Sequence, residues 1–149
     1  GGLPLTLIAI MEIMIREPTG IEMEFGKAIE QFNQTEFYAC HDTLEAIWMD
    51  AIHPDKTFYQ GILQIAVGLY HLSHANWRGA VILLGEGIGR LRDFQPHYET
   101  IDVERLIQDS ATLLKALQIA GAEAIETIAE EMQENRSPLQ LPKIHLISG

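Results

Sequence analysis

Residues 56–75 constrain the fold more than any other stretch of the chain. Phe58, Tyr59, Ile62, Leu63, Ile65, Ala66, Val67, Leu69, Tyr70 and Leu72 recur at the helical period and cover most of the girth of one helix. A helix that apolar must be central, with neighbours on several sides. Gly61 and Gly68 lie on one of its faces. Each costs about 1 kcal/mol relative to Ala in a helix. The expected compensation is close approach of a neighbouring helix along that face.

The flanking sequence reads the same way. An amphipathic helix is expected over 21–34, with Phe25, Ala28, Ile29 and Phe32 on one face, and a second over about 36–51, with Phe37, Cys40, Leu44, Ile47 and Trp48 as its stripe. The central helix should begin at Pro54-Asp55, with Asp55 as a cap. Asn76 should cap a helix over 77–94. Its Gly79, Gly85, Gly87 and Gly89 make that helix weak by propensity, so packing must hold it. Asp102 should cap the last long helix, with Ile101 and Leu106 as a hydrophobic staple. Gly121 should break or bend that helix before the pattern resumes over 123–133. Strand-like alternation of useful length is absent. The expected fold is therefore all-α, a single-domain bundle of about five or six helices with an extended C-terminal tail. The expected division is an apolar N-terminal extension over 1–20 of partly non-native origin, a helical domain over 21–136, and a tail over 137–149. The extension should pack on an apolar surface of this chain or of a second copy, which allows a homodimer.

Composition excludes some functions. The 149 residues carry a formal net charge of −11, with only 10 Lys and Arg, and those are scattered. That charge repels phosphate backbones and anionic lipid, so neither nucleic acid nor a membrane surface is an expected partner. The single Cys40 rules out an intrachain disulfide and fits a reducing, cytoplasmic setting.

The candidate chemistry lies in two polar stripes. His41 and Glu45 sit one turn apart on the second helix, with Trp48 a turn further. Gln60, Gln64, Val67 and His71 form a stripe on the central helix. Buried polar groups need partners, and a short turn between the helices would let the stripes meet. The first reading is a binding or interaction protein in which this buried network fixes helix register. The second is a small acid–base or hydrolytic enzyme, with Glu45 as base and His41 as acid or orienting group. The third is a divalent-metal site using His41, Glu45 and His71 or His74. His41-Asp42-Thr43-Leu44-Glu45 is not a diagnostic metal spacing, however, so no cofactor is expected. Any small-molecule ligand is left unspecified. Cys40 and His41 are adjacent and diverge on a helix, so Cys40 reads as a buried small apolar residue.

Several spaced elements resemble a known family. Phe32-Asn33 and Phe37-Tyr38-Ala39-Cys40-His41-Asp42-Thr43-Leu44-Glu45-Ala46-Ile47-Trp48 resemble the signature of the domain of unknown function 309 family. Tyr59 to Val67 is similar to its second block, and His71, Asn76 and Gly79-Ala80 to its third. Asp42 stands where that family usually has Glu, and Gly68 replaces a common Ala. The resemblance implies a small helical protein and carries no assigned activity. Its motif positions include His41, Glu45, Trp48, Gln60, Gln64, His71 and Asn76.

Overall fold

A computed structural model describes residues 2, 4–8 and 19–147. The body of the fold is a helical bundle: α1 Gly20–Asn33, α2 Phe37–Asp50, α3 Asp55–Ser73, α4 Trp77–Leu91, α5 Val103–Ala120 and α6 Ile125–Gln133. Most of the expected extension lies outside the described residues. Leu5, Leu7 and Ile8, which are described, face solvent and take no part in the core.

α3 is the central element, packed chiefly against α4 and α2 and also against α6. Phe58, Ile62, Ile65, Ala66, Leu69 and Leu72 are fully buried along it. Its glycines let α4 come close: a Cβ added at Gly68 would lie 3.2 Å from the Leu84 backbone nitrogen. α1 lays Phe25, Ala28 and Phe32 on the same core. The Cys40 thiol donates to the Ala28 carbonyl at 3.4 Å, and burial pushes it up to about 12. Among the described residues, no helix is long and apolar enough to cross a membrane.

Helix ends follow local chemistry with one exception. Thr19 and Glu22 form a capping box on α1. Asn76 accepts from Gly79 N–H, and Asp102 from Arg105 N–H. Asp55 does not cap α3, because it lies inside the first turn, after Pro54 at the N-cap position. Its carboxylate instead accepts a short hydrogen bond from the Tyr98 hydroxyl, which raises that phenol to about 12. α4 ends earlier than expected, at Leu91, and tightens into a 3-10 turn at Arg92–Phe94. Gly121 breaks α5 at φ +79°.

Tyr98 belongs to a small antiparallel hairpin that the sequence reading did not anticipate: His97–Tyr98 (β1) against Ile101–Asp102 (β2). Glu99 and Thr100 make its two-residue turn, both at positive φ. Such turns usually announce themselves with Asn-Gly or Asp-Gly, and neither is present here. The tail lies beside the hairpin. Ile101 bridges to Leu146, and Asp102 N–H donates to the His145 carbonyl.

Ser110 on α5 is fully buried and its hydroxyl has no partner. Ser110→Ala is expected to raise stability by about 1 kcal/mol, because it removes a desolvated, unpaired hydroxyl and improves helix propensity. A calorimetric melt reads this directly. A lowered midpoint would mean that the hydroxyl is bonded in solution.

Candidate functional site

The helical period places His41, Glu45 and Trp48 along one face of α2, and Gln60, Gln64 and Val67 along one face of α3. The turn at 51–54 joins the two helices, and the stripes meet as expected. These six residues, with Leu63 and with Leu83 of α4, line a shallow groove of about 250 Å³.

The stripes are not buried, which corrects the expectation. The His41 and Glu45 side chains are 34% and 47% exposed. Gln60, Gln64 and His71 are half-buried. The reason is geometric: α2 and α4 cover α3 on two sides, and the polar stripe falls in the open seam between them. Water solvates these groups there, so a fully satisfied internal network is unnecessary.

His41 is clasped by two carboxylates. Its Nε2 lies 3.2 Å from Glu45, and its Nδ1 lies 3.2 Å from Asp42. The ligand atoms of His41, Asp42 and Glu45 fall within 4.8 Å of one another. A metal ion takes one imidazole nitrogen, however, and here the carboxylates address different ring nitrogens. The two carboxylates therefore hold the ring from both nitrogens rather than converge with one of them as a metal ligand set would.

Gln64 is held from both sides. Its amide donates to Glu86 at 3.0 Å and accepts from Arg90 at 2.9 Å, and both partners lie on α4. These two residues were missed in the sequence; their i, i+4 spacing was a legible signal. Lys56 was also missed. Its ammonium sits 4.4 Å from the Trp48 ring centroid and donates to the Trp48 carbonyl.

Trp48 contributes the most unusual atom. Its indole N–H is shielded from solvent and has no hydrogen-bond partner. Buried donors are normally paired, and leaving one unpaired costs about 1–3 kcal/mol.

The remaining two expected residues are elsewhere. His71 Nδ1 lies 3.2 Å from the Asn76 amide, at the corner between α3 and α4. They do not line the groove. His71 is one turn beyond Val67, past the Tyr38–Tyr70 ring contact that joins α2 to the end of α3.

Residues 25–83 match the family described as Domain of unknown function (DUF309). That span runs from α1 through the first half of α4 and contains every groove residue. The chain is also similar to the uncharacterized protein YpuF of Bacillus subtilis, with 34% identity over 101 residues. The match covers 66% of this chain and 55% of that protein, so the chain spans about half the length of the curated relative it matches. The helices that build the groove and the motif that lines it coincide with the matched span, and through residues 25–83 the chain belongs to the domain of unknown function 309 family.

Proposed function

We propose that this domain is a binding module whose α2–α3–α4 groove takes a basic, partly apolar segment of a protein partner. The observation that carries this reading is an open groove with an apolar floor and a half-exposed His41–Glu45 pair at its edge, too small to enclose a substrate. Ligand pockets commonly span about 300–1,000 Å³ and bury most of their ligand. A groove of about 250 Å³ receives one or two side chains. Leu63, Val67 and Leu83 give it an apolar floor; Glu45 lines its edge, and Asp42 and Glu86 pair with the lining residues His41 and Gln64, with Lys56 beside Trp48 and Arg90 beside Gln64 as the neighbouring cations. Glu45 at the edge and the net charge of −11 favour a cationic segment and speed its encounter.

An acid–base enzyme using Glu45 and His41 would need a cleft that holds a substrate against both side chains. The shallow groove beside them, about 250 Å³, falls short of the usual size of such a cleft.

Selection from a displayed library of twelve-residue peptides tests the reading. Enriched peptides should carry Lys or Arg beside an apolar residue and bind more weakly as salt is raised. Val67→Lys, which puts a cation on the groove floor, should weaken binding about tenfold. Glu45→Ala should also weaken binding, yet alter stability by no more than about 0.5 kcal/mol, as for other exposed i, i+4 pairs. Peptides that bind parent and both variants equally would reject the groove as the site.

A further inference from the structure

We propose that a second, separate cavity binds a small polyanion bearing phosphate or carboxylate groups. This cavity has a volume of about 580 Å³, well within the range of small-molecule sites. None of the groove residues line it. Its walls come from five places: the α1–α2 turn, the C-terminal end of α3, the first turns of α5, the end of α6, and the tail from Ser137 to His145.

The charge of its lining is opposite to that of the molecule. The chain has 21 acidic residues and 10 Lys and Arg. Arg105 and Lys143 both line the cavity, joined by His145, against the single carboxylate of Asp109. Arg105 approaches Asp109 only at 3.6 Å, longer than a hydrogen bond, so that pair leaves the guanidinium donors available. Lys143 gives one donor to the Asn33 carbonyl at 2.6 Å. An ammonium has three, so two are left over. Hydroxyls and amides, among them Ser73, Gln133 and Asn135, supply the neutral hydrogen bonding that a polar ligand needs. A guanidinium on the α5 wall and an ammonium on the tail wall match a ligand with two or more oxyanion groups, and Arg can grip one of these bidentately.

Phosphate and carboxylate share this chemistry, so pyrophosphate and citrate are the probes. Each is titrated by isothermal calorimetry at constant ionic strength, and thermal shifts are read in parallel. At least one should bind at a single saturable site and raise the midpoint at about 10 mM. Pyrophosphate alone would assign a phosphate headgroup, and citrate alone a carboxylate one. Arg105→Gln lies on an exposed helical position and should weaken the Kd at least tenfold. Lys115→Gln, a cation outside the cavity, should leave it unchanged. His145→Gln supplies a second cavity variant should Arg105→Gln fold poorly. Absence of saturable binding by both probes would overturn the proposal. So would equal losses in the cavity variants and in Lys115→Gln, which would reduce the effect to general charge screening. Peptide binding at the groove is read separately, so the two sites fail or survive independently.

Discussion

Gly87→Ala is expected to destabilise the protein by about 2–3 kcal/mol, a large effect for one added methyl. Its Cβ would fall 2.6 Å from Ile65 Cγ1, 2.8 Å from the Gly61 carbonyl oxygen and 3.1 Å from the Ile65 nitrogen. Two of those three neighbours are backbone atoms of α3, so a side-chain rotation cannot relieve the clash. The helices must separate, and separation opens gaps around Ile65 and Leu84, which are fully buried. Two other helical glycines provide the control. A Cβ at Gly89 or Gly26 meets nothing within 4 Å. Gly89→Ala and Gly26→Ala should therefore each gain up to about 1 kcal/mol from helix propensity. Urea unfolding of the three variants separates sterics from propensity. A Gly87→Ala midpoint equal to that of Gly89→Ala would mean that the close crossing of α3 and α4 is absent in solution.

That contrast shows what the sequence can and cannot disclose. The pairing of Gly61 with Gly68 was legible as a close-approach face, because two costly residues on one side of a central helix need a reason. The run Gly85-x-Gly87-x-Gly89 was legible as a weakness, but not as one contact glycine between two replaceable ones. Only the crossing geometry makes that distinction. Helix identities followed from periodicity, and two of the caps followed from Asn76 and Asp102. Asp55 was misread because the same side chain that favours an N-cap also suits a tyrosine hydroxyl, and Tyr98 lies far along the chain. The hairpin was hidden by its turn residues, Glu99 and Thr100, which seldom take positive φ.

The site was legible as a set of residues and not as an environment. Spacing alone placed His41, Glu45 and Trp48 opposite Gln60, Gln64 and Val67. Burial was inferred from the apolar girth of α3, but girth does not reveal where the covering helices leave a seam. The half-exposed histidine and glutamate follow from that seam. So does the clamp of Glu86 and Arg90 on Gln64, which depends on how α4 is rotated. The second cavity was not legible at all, since its walls come from five separated parts of the chain.

Asn33→Ala is expected to cost about 2 kcal/mol and to loosen the C-terminal tail. The Asn33 side chain makes two reciprocal hydrogen bonds with one residue of the tail: its amide donates to the Ile144 carbonyl at 2.9 Å, and its oxygen accepts from Ile144 N–H at 2.8 Å. Truncation leaves both backbone groups unpaired in a partly buried position, each carrying a desolvation cost. Ile144 itself is only 3% exposed, so detachment also returns apolar surface to water. Other ties survive the substitution. Lys143 reaches the Asn33 backbone carbonyl, and Ile147 N–H still has the Thr100 carbonyl. The tail should thus loosen around residue 144 rather than leave as a unit. Hydrogen exchange is the decisive measurement: the Ile144 amide should lose protection strongly, while amides of α3 change only with global stability. The tail also forms one wall of the polar cavity, so pyrophosphate or citrate binding should fall in Asn33→Ala even though no cationic group has been removed. Retained protection at Ile144 would show that the tail is held mainly by its hairpin contacts. Undiminished anion binding with protection lost would show that the cationic residues act without the tail as a wall.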